Sequence, residues 1–337
     1  MYQFFKKILF MLSAETAHEL TIDAFAAVTN LSLSGAIPGP KKQKPVTVFG
    51  IEFPNAVGLA AGLDKNGDAI DALGAFGFGF VEVGTVTPKP QPGNPQPRLF
   101  RIPEKEAIIN RMGFNNKGVD YLVERVKKSN YSGVIGINIG KNKDTPEEEA
   151  VNDYLICLEK VYPVADYIAV NLSSPNTPGL RNLQFGENLA KLISALQARQ
   201  QELDESHKHT PILIKIAPDL TDEEVKSLAA TFNELKVEGV IATNTTVSRD
   251  AVEGCVHAEE TGGLSGSPVR DQSNHVLKLF REQLDDSIPL IGVGGVMSEH
   301  DAEEKLKMGA DLVQVYTGFI YQGPGLIKKA VERLARL

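Results

Sequence analysis

Residues 290–318 read LIGVGGVMSEHDAEEKLKMGADLVQVYTG. Two runs rich in Val, Ile and Leu, LIGVGGV (290–296) and LVQVYTG (312–318), each break off in or just after glycine, with helix-like periodicity between them. Near-continuous apolar runs of this length are expected of parallel strands covered on both faces. Six more segments have the same character: AVGLA (56–60), FVEVGTV (80–86), GVIGINIG (133–140), YIAVNLS (167–173), ILIKIAP (212–218) and GVIATNTT (239–246). Each is followed by a helical pattern. Eight β/α units in succession predict an α/β chain folded as a (β/α)8 TIM barrel. Alternation alone also fits a doubly wound open sheet. The count of eight favours closure. So do the polar residues, which cluster at the C-terminal ends of several different runs, where barrels build their sites.

The barrel is expected to occupy residues 46–337, with an N-terminal helical extension and linker over 1–45. In the extension Phe4, Phe5, Ile8, Leu9 and Leu12 fall on one helical face, and Ala17, Leu20, Ala24, Ala27, Val28 and Leu31 form a second stripe. The turn-rich LSGAIPGPKKQKP (33–45) follows. Two helices that merely cover the barrel are one reading. An interfacial membrane element, with Lys6 and Lys7 near the headgroups, is the other. Inside the barrel, Thr145-Pro-Glu-Glu148 and Thr221-Asp-Glu-Glu224 read as capping boxes opening helices. Leu189, Leu192, Ile193 and Leu196 form the buried stripe of another helix. Residues 87–114 and 247–268 are longer than a helix requires and read as loops at the mouth, candidate lids.

The chain has 337 residues, 42% apolar and 23% charged, which is a soluble globular composition. Its net charge of −8 argues against nucleic acid as the main partner. The first 45 residues carry five lysines against Glu15, Glu19 and Asp23, so the acidic excess lies in the remainder. The two cysteines, Cys157 and Cys255, stand apart, with no pattern of a zinc site or disulfide framework. Residues 8–12 are too short and lack the cleavage site of a signal peptide, and no run reaches the ~20 apolar residues of a spanning helix. A cytosolic protein, or one on a cytosolic membrane face, follows.

Glycine closes both of the quoted strands, at Gly294-Gly295 and Gly318, and Gly262-Gly263-Leu-Ser-Gly266 adds a third glycine-rich loop. Without a Cβ the backbone N–H groups can approach an anion closely, and the ends of strands seven and eight are the recurrent phosphate site of barrels. Tight turns explain any one of these glycines equally well. Lys215 interrupts ILIKIAP, and a lysine buried there needs an anionic partner, a flavin ring or a phosphate for instance. Lys65, beside Asp64, reads as an ordinary surface lysine on its own. Asn110, Asn138, Asn171, Asn176 and Asn244 all fall at strand ends or in the long loop. Each offers donors and an acceptor, suited to a planar ring whose edge alternates C=O and N–H; turn chemistry is the simpler source of each. Ser174 has no G-x-S-x-G elbow and no nearby histidine, so the residues alone make it a turn serine.

Taken together, AAGLDKNG (60–67), VEVGTVTPKPQPGNPQPRLFR (81–101), INRMGFNN (109–116), GINIGKNK (136–143), NLSSPNTPGLR (171–181), KIAPDL (215–220), IATNTT (241–246), TGGLSG (261–266), IGVGG (291–295) and QVYTGFIYQGP (314–324) resemble a dihydroorotate dehydrogenase of the quinone-dependent, membrane-associated class 2. The resemblance runs through the whole barrel and includes the N-terminal extension that the soluble classes lack. It implies oxidation of dihydroorotate to orotate in pyrimidine biosynthesis, with FMN as cofactor. FMN would then meet Ala61, Gly62, Leu63, Asp64, Lys65, Thr85, Asn138, Asn171, Lys215, Thr243, Gly266, Gly295, Tyr316 and Thr317. Dihydroorotate would be held by Lys65, Asn110, Arg111, Met112, Gly113, Phe114, Asn171, Asn176, Asn244 and Thr245. Ser174 would be the base, taking a proton from C5 while hydride leaves C6 for the flavin, with Phe114 as shield and Thr177 as relay. The soluble classes are similar but carry cysteine at this position.

The same resemblance implies electron transfer to ubiquinone or menaquinone, entering between the two N-terminal helices, with His18, Arg101 and Tyr316 at the inner end. The chain would then sit peripherally on the cytoplasmic face of the membrane. Three other readings compete: a Schiff-base lyase using Lys215 or Lys65, a soluble flavoprotein delivering electrons to fumarate or an iron–sulfur partner, and a non-catalytic membrane-associated barrel. The serine at 174 and the extension speak against the second, and the full set of glycines, lysines and asparagines against the third. Glu82, a carboxylate inside an apolar strand, has no role in any of them.

Overall fold

The structure, a computed structural model, describes residues 2–31 and 39–337. In chain order its strands are β1 (Val46–Val48), β2 (Ile51–Phe53), β3 (Val57–Leu59), β4 (Phe80–Val86), β5 (Leu99–Ile102), β6 (Ala107–Asn110), β7 (Val134–Ile139), β8 (Tyr167–Asn171), β9 (Ile212–Ile216), β10 (Val240–Ala242), β11 (Gly263–Gly266), β12 (Leu290–Val293) and β13 (Leu312–Val315). Eight of them, in the order β10-β12-β13-β3-β4-β7-β8-β9, close into a barrel, and every pairing around it is parallel. These eight are the eight runs read from the sequence. The open sheet is excluded, because each of the eight strands pairs with two neighbours and none is left at an edge.

The barrel's interior is packed solid at its N-terminal end. A Cβ on Gly58 would lie 2.3 Å from the Phe80 ring, and one on Gly136 would lie 2.1 Å from the Tyr167 ring. Glycine at these two positions lets the rings reach across the barrel, where their centroids stand 6.3 Å apart. The β1–β2 hairpin closes this end, its buried Phe53 ring 5.3 Å from that of Phe80. The opposite, C-terminal end is left for polar side chains.

Two stretches read as long loops are partly strand. β5 and β6 (from 87–114) and β11 (from 247–268) form a three-stranded antiparallel sheet, order β11-β6-β5. Phe100, Ile102, Ile109, Val252, Ala258 and Leu264 give it a small core of its own. Of the two capping boxes, Thr221 makes its reciprocal pair with Glu224. Thr145 does not: the helix begins at Ala150 after a 3-10 turn, and the Thr145 carbonyl instead accepts from Lys141 Nζ at 2.8 Å. The Leu189–Leu196 stripe is buried in helix Gly186–Asp204 as expected.

The extension forms helices α1 (Tyr2–Phe10) and α2 (Ala14–Asn30), the second capped by Ser13. α1 is held by Lys6 Nζ donating to the Tyr321 carbonyl at 3.1 Å and by Tyr2 donating to that of Ile320. α2 packs through Ile22 and Phe25, whose ring is 5.4 Å from that of Phe76. Of the stripe read from the sequence, Ala17 is buried and Val28 half-buried, while Leu20, Ala24, Ala27 and Leu31 face solvent, as do Phe4 (67% exposed), Phe5 (54%) and Ile8 (49%) of α1. Both helices turn an apolar face outward. No helix among the described residues is long and apolar enough to cross a membrane.

Candidate active site

Strands β4, β7, β8, β9 and β13 carry polar side chains inward just above the aromatic layer, and Glu82 is the lowest of them. Its fully buried carboxylate accepts from Gln314 Nε2 at 2.6 Å, Asn138 Nδ2 at 2.8 Å and the Tyr167 hydroxyl at 2.9 Å. Lys215 Nζ stands 3.4 Å away as its ion-pair partner. The anion that Lys215 requires is thus supplied by the protein, and a carboxylate that sequence reading left without a role is the centre of the barrel's polar layer. A buried charge with four donors around it is satisfied.

Above this lies a chain of amides and hydroxyls. Thr85 donates to Asn138 Oδ1 at 2.5 Å, and Asn171 Nδ2 donates to Thr85 Oγ1 at 3.0 Å. Asn171 Oδ1 accepts from the Ser173 backbone N–H at 3.2 Å and from Asn244 Nδ2 at 3.3 Å. The network fixes which way each amide faces, so their free edges are preset.

Over it opens a cavity of about 1010 Å³ including its mouth. Ala61, Gly62, Lys65, Thr85, Asn171, Lys215, Thr243, Gly266, Gly295, Tyr316 and Thr317 line it, with Asn110, Met112, Gly113, Phe114, Asn176, Asn244, Thr245 and Ser174. Residues from the mouth ends of β3, β4, β8, β9, β10, β12 and β13 therefore meet in one space. Six of the cofactor, substrate and quinone residues named from the sequence do not line it. Leu63 joins the core, and the Asp64 carboxylate accepts the N–H groups of Asp68 and Ala69 at 2.9 and 2.8 Å. Asn138 lies one layer below. Arg111 turns outward to Glu260 at 2.6 Å, its guanidinium 4.6 Å from the Phe100 ring centre. Arg101 lies over the Phe10 ring at 4.4 Å and donates to the Leu9 carbonyl at 3.3 Å and to that of Leu12, holding the α1–α2 junction. His18, on α2, is likewise outside the cavity wall and faces Lys65: burial and that lysine push its imidazole down to about 3.

Gly294, of the glycine pair read as a phosphate site, also lines the cavity, as do Gln314 and Ser265, which went unnamed as site residues. Gln314 had a signal, a polar side chain inside an apolar strand, of the same kind as Lys215. Its Oε1 is buried and has no hydrogen-bond partner among the described residues. At the far end Gly294 and Gly295 have φ of +112° and +71°, and a Cβ on Gly295 would lie 2.4 Å from Arg270 Cα. Only glycine fits there, so bare backbone borders the cavity beside Gly266 and Thr317.

Ser174 is buried, and its Oγ accepts the Asn176 backbone N–H at 3.2 Å. It therefore makes the turn that sequence reasoning expected while also facing the cavity. No hydrogen bond joins it to Thr177 among the described residues. Asn176 Nδ2 donates to the Asn110 carbonyl at 3.1 Å, closing the serine loop onto the end of β6. Lys65 is the one cation at this end of the cavity wall among the described residues; burial and Arg98 push it down to about 8.

A family model described as dihydroorotate dehydrogenase matches residues 44–337. A dihydroorotate dehydrogenase (quinone) of Azotobacter vinelandii is 58% identical over 100% of this chain and 97% of its own, and one of a Marinomonas species is 60% identical over 98% of this chain and 96% of its own. Among solved structures, the crystal structure of DHODH from Eimeria tenella in complex with ferulenol superposes with a TM-score of 0.86 at 38% identity, covering 94% of this chain and 90% of that one. With motifs, barrel and cavity in agreement along the whole length, the chain belongs to the dihydroorotate dehydrogenase family, in its quinone-dependent class.

Proposed function

We propose that this chain oxidises dihydroorotate to orotate in pyrimidine biosynthesis, using FMN and passing the electrons to a membrane quinone. The observation that carries the reading is the convergence in one cavity of Lys65, the amides of Asn110, Asn171, Asn176 and Asn244, Ser174, and a glycine cradle at the far end. The cavity fits FMN on two independent counts: a Cβ at Gly294 or Gly295 would strike Ser273 or Arg270, so only bare backbone borders the space where a phosphate would lie, and the unpartnered Gln314 Oε1 is an acceptor waiting for a donor on a ring edge. Thr85, Asn171, Lys215, Thr243, Gln314 and Tyr316 would hold the ring, and Gly266, Gly294, Gly295 and Thr317 the phosphate. Bound there, FMN would accept two electrons from the substrate and pass two on to the quinone.

The protein's own residues do the rest. Protonated Lys65 pairs with the substrate carboxylate. Asn110, Asn171, Asn176, Asn244 and Thr245 read the alternating donors and acceptors of the ring. Phe114, with Met112, excludes water from the reacting face. Ser174 takes the C5 proton. The Asn176 N–H that donates to its Oγ stabilises negative charge on that oxygen, which lowers the cost of a hydroxyl base. On the other side, the outward apolar faces of α1 and α2, with the exposed Lys7, support peripheral attachment to a membrane, here placed on its cytoplasmic face; Lys6 is turned inward to the Tyr321 carbonyl. Quinone would enter between the helices toward Arg101, His18 and Tyr316. Anaerobic mixing with dihydroorotate should bleach the flavin absorbance, and a quinone should restore it. A purified chain that is colourless and takes up no FMN would overturn the proposal.

A further inference from the structure

The mouth of the cavity is tied to the N-terminal extension by a buried ion pair. Arg98, four residues after Asn94 and just before β5, brings both Nε and Nη2 to 2.8 Å from Glu15 Oε1 on α2. Both side chains are at least nine-tenths buried. The remaining terminal nitrogen, Nη1, donates to the carbonyls of Pro92 and Asn94 at 2.6 and 2.8 Å. Asn94 in turn grips the cavity wall: its N–H donates to the Met112 carbonyl at 3.0 Å, and its Nδ2 to the carbonyls of Arg111 at 2.9 Å and Asn176 at 3.4 Å. The fit is close. A Cβ on Gly93 would lie 2.3 Å from the Met112 carbonyl oxygen, and one on Gly113 would lie 2.7 Å from the Asn94 amide. From α2 to the loop carrying Ser174 there are two side chains, Arg98 and Asn94.

We propose that Glu15 and Arg98 are positioning residues for the substrate pocket, so that α2 helps to shape the dihydroorotate site and is not solely a quinone or membrane element. A buried ion pair is weak evidence of added stability, but it fixes how two elements register. Without Glu15 the guanidinium is left buried and uncompensated, and the 92–94 segment that holds Met112, Arg111 and Asn176 loses its anchor. The pair also sets the charge around Lys65. Arg98 faces Lys65 and opposes its proton; Glu15 and Glu19 of α2 and Asp64 of its own loop favour it; His18 of α2 faces it as well.

The inference rests on Lys65 as the partner of the substrate carboxylate, and the experiment separates the two. Orotate affinity of the full-length FMN-loaded protein is measured from its perturbation of the flavin spectrum between about pH 6 and 9, a readout that involves no quinone. Affinity falls as Lys65 loses its proton. Glu15→Gln, which removes a neighbouring negative charge, should weaken orotate by about fivefold or more and move this fall to lower pH. Arg98→Met should move it to higher pH. Arg98→Lys keeps the charge and gives up the bonds to Pro92 and Asn94; it should weaken orotate with the fall where it was, and it serves if Glu15→Gln does not fold. Opposite shifts for the two charge-removing variants support the proposal. Shifts in one direction, or affinity lost with no shift, reduce the pair to a structural contact and overturn it. Lys65→Met is run alongside. If it leaves orotate affinity unchanged, the reading of Lys65 falls and this inference with it; if it abolishes binding while the Glu15 and Arg98 variants bind as the parent does, the coupling alone falls.

Discussion

The hydroxyl of Ser174 and the carboxylate of Glu82 show how differently two residues can be readable. Ser174 stands in a turn whose sequence, SSPNTPG, accounts for it without chemistry; the family resemblance proposes another use, and the cavity it borders leaves room for it. Ser174→Ala removes one recorded bond, that from the Asn176 N–H, and leaves the cradle intact. It should keep its FMN and slow anaerobic flavin bleaching by about 10²-fold or more, the range of a lost general base; stopped-flow absorbance checks this, and bleaching at the parent rate would remove Ser174 from the mechanism. Glu82 lies between apolar neighbours in FVEVGTV, and nothing nearby in sequence explains it. Its partners come from β7, β8, β9 and β13. Glu82→Ala leaves Lys215 buried without its counter-charge and should cost about 3–5 kcal/mol, read from the urea midpoint of the FMN-free protein. Replacing the pair together, Glu82→Leu with Lys215→Met, should cost less than the single change.

Elements were legible where burial is two-sided. A parallel barrel strand has no solvent face, so its sequence is a continuous apolar run that stands out at once. β5, β6 and β11 did not stand out because β5 alternates and the sheet joins residues about 150 positions apart in the chain, a pairing no local pattern encodes. The stripe on α2 was only half legible for a related reason: alanines and leucines spaced for a helix say that a face is apolar, not whether it turns to the barrel or away from it, and the structure turns most of it outward. A contact between elements also sets a pH dependence. His209 stands 2.9 Å from Asp204, at the end of helix Gly186–Asp204, and 2.5 Å from Glu238, just before β10. Burial disfavours its charge, but the two carboxylates outweigh that and hold the imidazole above its ordinary 6.5. A raised value in the folded state means that the stabilisation is fully present below pH 6.5 and is lost as pH rises past the folded value. Unfolding midpoints should therefore fall between about pH 6 and 9, and His209→Ala should flatten that slope.

At the scale of the molecule the barrel and the extension make separable contributions. Removing α1 alone, residues 1–11, leaves Ser13 to cap α2 and Glu15 to pair with Arg98. It should cut turnover with a long-chain quinone in vesicles by about tenfold or more while dihydroorotate still bleaches the flavin near the parent rate, since it removes apolar area that would be buried in the interface; equal loss of both half-reactions would refute this. By itself the sequence determined the eight-stranded barrel, the order of its units and the glycine, lysine and asparagine set at their ends. Those are properties of segments: a side chain's type and its place relative to a strand's end are written locally, and closure follows from the count. Only the tertiary structure decided that Glu82 is the partner of Lys215, that Arg111 turns away, and that Glu15 reaches Arg98. A buried charge selects its partner by proximity across the fold, because in a low-dielectric interior it must be matched within a few ångströms, and that distance is set by strands and helices far apart in the chain.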